Sequence, residues 1–245
     1  MQLRRYDPVP LYHQLAEEIR EQIENRQLSP GERLPSLHEL GRQYKVSYMT
    51  VRHAIGELVR QGLLEARQGL GTFVALPKID YDLRTLTGFT EDMRARGVAP
   101  HARLLHLASE PAGERIAQRL QISPDDTIVH VARLRYSGDL PAVLDDSYLP
   151  SSLCPDLETE DLEHTSLYGL LEGKYDLVLD HAIQVIETTG ANRYEAELLG
   201  VPIGTAMMLV RGVTYLSDGR SIEYFTNTYR GDRFRFQMEA IRLHQ

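Results

Sequence analysis

A chain of 245 residues, 42% hydrophobic and 25% charged, has room for two ordinary domains and the make-up of a folded protein rather than a disordered one. Its net charge of −8 argues against indiscriminate binding of polyanions, but the charge is uneven: residues 1–77 hold ten Lys/Arg against nine Asp/Glu, and residues 78–245 hold seventeen against twenty-six. The longest apolar run, Ala206 to Val210, cannot span a bilayer, no apolar run follows the basic start as a secretory signal requires, and lone Cys154 has no internal partner; a reducing cytoplasm is expected.

In chain order, Pro10 suits a first helical turn, and Leu11, Leu15, Ile19 and Ile23 recur every four residues, which predicts a helix ending near Arg26. Ser36 and Glu39 form a capping box for a short helix to about Tyr44. Ser47 caps a third helix through Gln61, with Val51, Ala54, Ile55 and Leu58 on its core face and Gly62 as a left-handed stop. Leu63-Leu64 and Thr72-Phe73-Val74 flank Gln68-Gly69-Leu70-Gly71 as a hairpin. Residues 77–84 read as a linker. Beyond it, β-branched runs at 127–134, 178–186, 207–215 and 222–229 alternate with helical segments at 89–96, 113–120, 166–173 and 192–199, which predicts an α+β domain around an antiparallel sheet.

The second and third helices, joined by a tight turn, have the geometry that sets a recognition helix in the major groove. At 100° per residue, the arc opposite Val51 and Leu58 carries Met49, Arg52 and His53, with Tyr48 and Thr50 at its edges. Arg52 suits two parallel bonds to guanine, whereas Ser and Thr more often hold phosphate. Arg33 and Arg67 would add backbone contacts, and Gly69 and Gly71 would let the hairpin tip approach DNA closely. The alternative is a small helical domain with a solvated face. The motifs PLYHQLAEEIREQI, GERLPSLHELGRQYKVSYMTVRHAIGELVRQGLL and RQGLGTFV resemble the winged helix-turn-helix domain of GntR-family regulators over residues 8–75. That resemblance implies DNA contacts at Arg33, Ser36, Ser47, Tyr48, Thr50, Arg52, Gln68 and Gly69. Tyr48 stands where many members carry Arg, which bears on the operator sequence.

In the second part, Val129, Val131, Arg133 and Arg135 point to one face of a strand. Two arginines on a valine-lined face call for an anion or an acidic partner, and both readings stay open: a bound phosphate or carboxylate, or an internal ion-pair ladder. The helix start at Thr165-Ser166 offers free N–H groups to an anion or is an ordinary cap. Asp145 with Ser147, and Glu223 with Asn227 and Tyr229, suit hydroxyls or amides of the same ligand or are plain strand charges. LTGFTEDM at 86–93, RLR at 133–135, LPAVLDDSYLP at 140–150 and IEYFTNTYRGDRFRF at 222–236 resemble the UTRA effector domain of the HutC subfamily, among whose members the sensors of N-acetylglucosamine 6-phosphate look most alike. The resemblance implies a chorismate-lyase-like fold with a central antiparallel sheet. It further implies phosphate contacts from Thr90, Arg133, Arg135, Ser166 and Tyr168, and sugar contacts from Phe89, Asp145, Glu223 and Tyr229. Asp145 replaces a longer Glu, and Thr90 takes a position often held by Ser.

The expectation is therefore a winged helix-turn-helix domain over residues 1–76, a linker over 77–84 and an effector and dimerisation domain over 85–245. It would act as a homodimeric repressor on a palindromic double-stranded operator, tuned by a small phosphorylated effector such as an amino-sugar 6-phosphate, with no membrane partner. A regulator sensing a carboxylate such as urocanate, a lyase-like enzyme and a protein-binding module are the alternatives. No nucleophile–base pair, phosphate loop or His/Cys cluster stands out, and no two of the nine histidines have zinc-helix spacing, so no catalytic residue, metal or cofactor is expected.

Overall fold

The structure is a computed structural model that describes Arg4, residues 7–67 and residues 69–239. The chain divides into two compact units, Met1–Lys78 and Ile79–Gln245.

The first unit has helices α1 (Leu11–Glu24), α2 (Leu37–Tyr44) and α3 (Tyr48–Arg60), followed by a hairpin of β1 (Leu64–Arg67) and β2 (Gly71–Val74). Leu15 and Ile19 of α1, Leu40 of α2 and Val51, Ala54, Ile55 and Leu58 of α3 form one core with Leu64 and Val74. The caps explain where the helices begin. Ser36 accepts from Glu39 N while the Glu39 carboxylate accepts from Ser36 N, and Ser47 accepts from Thr50 N. Helix α1 ends at Glu24, one turn's fraction before the expected Arg26, which itself takes φ +57°.

The second unit is built on a six-stranded antiparallel sheet in the order β4-β5-β6-β9-β8-β7: Pro100–Pro111, Thr127–Ser137, Leu140–Pro150, Ser221–Arg230, Ala206–Leu216 and Leu179–Gly190. Helices α4 (Phe89–Ala95) and α6 (Leu167–Gly173) pack on one face with Val129, Val131, Val143 and Phe225. Helices α5 (Gly113–Leu120) and α7 (Arg193–Leu199) pack on the other with Ile128, Leu134, Leu144 and Met207. Gly212 permits a close approach in β8, because a Cβ there would lie 2.6 Å from Phe225 Cζ and 2.7 Å from the Ile183 carbonyl oxygen.

Several elements depart from the sequence reading. Residues 79–82, inside the expected linker, form strand β3 (Ile79–Asp82), which pairs in parallel with β10 (Phe234–Gln237). Strands β4 and β6 have no counterpart among the runs predicted above, although Asp145 and Ser147 were set on one strand face.

Candidate functional site

In the first unit, the exposed side of α3 presents Tyr48, Met49, Arg52 and His53, the arc expected from helical periodicity. Arg52 makes no ion pair among the described residues, so its guanidinium is available to a partner. Tyr48, 41% exposed, tilts against His38 at a centroid distance of 5.0 Å, which ties the start of α3 to α2. His53 meets the edge of Tyr12 at 5.7 Å. The Ser47 and Thr50 hydroxyls lie 2.8 Å apart, and Ser36 Oγ donates to Glu39 at 2.7 Å, so these three hydroxyls serve the caps first.

Arg67 turns back onto the hairpin, whereas Arg33 is exposed beside it. Arg67 donates Nε and Nη2 to Glu65 at 3.2 Å and lies 4.6 Å over the Phe73 ring. Gly71, at φ +121°, keeps room for Arg33, whose Nε would be 3.0 Å from any Cβ there. Gly69, at φ +75°, is likewise in the region that favours glycine. Gln68 lies outside the described residues.

In the second unit, a cavity of about 210 Å³ opens on the α4/α6 face of the sheet. Phe89, Thr90, Arg133, Arg135, Asp145, Ser166, Tyr168, Glu223 and Tyr229 all line it, so the fold gathers every residue expected there. Register does the gathering: β5, β6 and β9 bring Arg133 opposite Asp145 and Asp145 opposite Asn227, while β8 brings Thr214 opposite Glu223.

The charges are arranged unequally. Asp145 Oδ2 accepts from Arg133 Nη2 at 2.8 Å and from Arg135 Nε at 2.9 Å, so one carboxylate serves two guanidiniums. The internal ion pair anticipated as the alternative to a bound anion is thus present, but it is incomplete. Arg133, 1% exposed, keeps Nε and Nη1 without hydrogen-bond partners. Burial, with the neighbouring Arg135 charge, lowers its guanidinium to about 10. Arg135 goes on to donate to Thr90 Oγ1 at 3.3 Å and lies 5.6 Å over Phe89. Burial alone would raise Asp145, but the two guanidiniums outweigh it and hold the carboxyl below its ordinary value.

Glu223 is in the opposite condition. Ser147 Oγ donates to it at 2.6 Å, and Tyr168 Oη and Thr214 Oγ1 each donate at 3.0 Å. Its carboxyl is pushed up by burial despite these three donors. Ser166 caps α6 by accepting from Gly169 N at 3.1 Å, and its hydroxyl donates to Glu91 at 3.4 Å. Tyr229 is buried in an aromatic cluster with Tyr81, Phe234 and Phe236. Buried polar groups are normally paired, so the orphaned Arg133 nitrogens mark where this cavity calls for an acceptor. Sequence reasoning missed Thr214, Glu91 and Tyr81 as neighbours of the site. Glu91 follows Phe89 and Thr90 directly on α4, a signal that was available, whereas Thr214 had none.

Comparison with known proteins fits both units. The model of bacterial regulatory proteins of the gntR family matches residues 11–74, and the UTRA domain model matches residues 95–235. The HTH-type transcriptional repressor NagR of Bacillus subtilis is 35% identical over 243 residues, covering 99% of this chain and 100% of that protein. The mannosyl-D-glycerate transport/metabolism system repressor MngR of Escherichia coli is 36% identical over 233 residues, 95% of this chain and 97% of that one. The crystal structure of PhnF from Mycobacterium smegmatis superposes with a TM-score of 0.66 at 27% identity, covering 92% of this chain and 98% of that chain. The chain therefore belongs to the GntR family of DNA-binding bacterial regulators, in the HutC-type branch that carries a UTRA domain, and its relatives repress transcription rather than catalyse a reaction.

Proposed function

We propose that the chain is a homodimeric repressor whose operator affinity changes when a small phosphorylated molecule, an amino-sugar 6-phosphate above all, enters the cavity beside Arg133 and Arg135. The observation that carries this reading is the pair of buried, partnerless nitrogens on Arg133. A phosphate oxygen would give them acceptors, and two guanidiniums sharing one carboxylate leave positive charge to balance. Thr90 and the Ser166 hydroxyl lie on the same cavity wall and would complete the phosphate contacts. Glu223 is already held by three donors, so any sugar hydroxyl bonded to it would have to compete with Ser147, Tyr168 or Thr214.

A second reading has its own support. The relative named for mannosyl-D-glycerate bears on a sugar joined to a carboxylate, and a monoanion would also match the single positive charge left over by Asp145. Titration calorimetry on the full chain with glucosamine 6-phosphate, N-acetylglucosamine 6-phosphate, their unphosphorylated parents, a glycosyl glycerate and urocanate separates the two. Tightest binding by a sugar phosphate, lost in Arg133→Ala, supports the first; tightest binding by a carboxylate replaces it with the second.

Dimerisation is supported by β7, an edge strand that exposes Ile183 and Val185, with Val178 exposed just before it, each at least 60% accessible. An unpaired edge flanked by apolar side chains is a liability unless another chain covers it. Paired recognition helices of such a dimer would read two half-sites of a palindrome, with Arg52 on base edges and Arg33, Ser47, Thr50 and the hairpin on phosphates.

A further inference from the structure

On the sheet face opposite the effector cavity, β4 and β5 place His106, Glu110 and His130 side by side. Ala108 stands directly across from His130 in the antiparallel register, with His106 and Glu110 two residues to either side of it. All three side chains therefore project from one face around a small residue, and one ligand atom from each lies within 4.8 Å of the others. We propose that these residues form a binding site for a divalent transition-metal ion, Zn²⁺ in the first place.

The hydrogen-bond pattern at His130 is the physical reason. Its Nε2 lies 3.0 Å from Asp146 Oδ1 on β6. An ionised carboxylate can only accept, so Nε2 is the ring nitrogen that donates to Asp146. Nδ1, on the other side of the ring, faces Glu110 Oε1 at 3.5 Å. A metal ion held between them would take a lone pair from each. His106 supplies a third donor, since its ring centroid is 4.7 Å from that of His130.

The dimensions agree. Tetrahedral zinc with bonds of about 2.1 Å sets neighbouring ligand atoms roughly 3.4 Å apart, close to the 3.5 Å between His130 and Glu110. His106 is exposed, and one of its ring nitrogens lies within 4.8 Å of the other two ligand atoms. Asp146 then plays the outer partner of a carboxylate–histidine–metal arrangement, and Tyr148, stacked on His130 at 4.3 Å, fixes the ring plane. Two imidazoles and a carboxylate favour Zn²⁺ over Mg²⁺ or Ca²⁺, which prefer all-oxygen shells. The sequence reading saw no metal site because nothing in the chain order puts His130 beside His106; strand pairing does.

The test is titration of chelator-treated full-length protein with Co²⁺, following the visible absorption of four-coordinate cobalt, and then displacement by Zn²⁺. One ion per chain is expected, with the band lost in His106→Ala and in His130→Ala. Asp146→Asn should loosen binding by about 10- to 100-fold, as expected for an orienting partner. Because His106 is exposed, its variant should melt with the wild type in chelator, and only the wild type should gain thermal stability from Zn²⁺. A wild type without the four-coordinate band, or equal cobalt affinity in the wild type and both histidine variants, would overturn the site.

Discussion

Asp145→Ala tests the charge arrangement of the cavity most directly. The substitution removes the one carboxylate that two buried guanidiniums share, at 2.8 Å and 2.9 Å. Hydrogen bonds to charged groups contribute about 1.5–3 kcal/mol each, so two of them set an expected loss of roughly 3–6 kcal/mol. Breaking a buried ion pair from one side independently suggests about 3–5 kcal/mol. For a unit of this size, 1 kcal/mol moves the melting temperature by about 2–4 °C, so a drop of roughly 6–20 °C is expected in a thermal melt. The companion variant Asp145→Ala/Arg133→Met removes two of the three charges and should recover part of the loss, since apolar replacement of a buried pair is often close to neutral while Arg135 keeps only Thr90 as a partner. Inorganic phosphate should also protect Asp145→Ala more than the wild type, because it offers acceptors to both arginines. If the double variant were no more stable than Asp145→Ala, with losses that merely added, the two side chains would not be coupled and the reasoning would fail.

Arg52→Ala should weaken operator binding by about 1–3 kcal/mol and relax preference at one base pair, whereas Arg33→Ala should weaken all sequences alike; fluorescence anisotropy against operator and scrambled DNA distinguishes them. Ile183→Asp/Val185→Asp should halve the mass seen by sedimentation without lowering the monomer's melting temperature, since both side chains are exposed. Glu223 has a folded-state pKa raised by burial, so its contribution to stability is fully present below its unfolded value near 4.5 and is lost as pH rises through the folded value. Glu223→Gln should therefore remove a fall in stability that the wild type shows as pH rises above that point, measured by urea melts across pH. Gly212→Ala should cost about 1–3 kcal/mol by forcing a Cβ against Phe225 and the Ile183 carbonyl.

Local signals carried most of the fold. The capping box at Ser36 and Glu39, the Ser47 cap and the four-residue stripe of α1 each specify their element within one or two turns of chain, and the structure has them in place. Strand β5 was legible for the same reason, because Val129, Val131, Arg133 and Arg135 alternate with Ile128, Ala132 and Leu134 without interruption. Strand β4 was not. A register shift between Leu104 and His106 breaks its period of two, so HARLLHLASE shows neither a strand nor a helix pattern. The β3–β10 ladder joins Ile79 to Phe234, and four-residue strands paired over that separation leave no local trace.

The cavity shows a finer limit. Alternation puts Arg133, Arg135, Asp145 and Glu223 on inward faces, but it says nothing about which charges are already neutralised. Sequence reasoning sets Asp145 and Glu223 together on the sugar side of a pocket. The register gives them different partners, although Ser147 touches both: Asp145 lies across from Arg133, whereas Glu223 lies across from Thr214 and beside Ser147 and Tyr168. One carboxylate is therefore drawn toward the cationic half and the other is closed off by hydroxyls. What the cavity still offers a ligand is set by the remainder, the unpaired nitrogens of Arg133. The pairing of Arg133 and Arg135 with Asp145 is thus a property of strand register, and a substitution that shifted the register of β6 against β5 would alter it without touching either arginine.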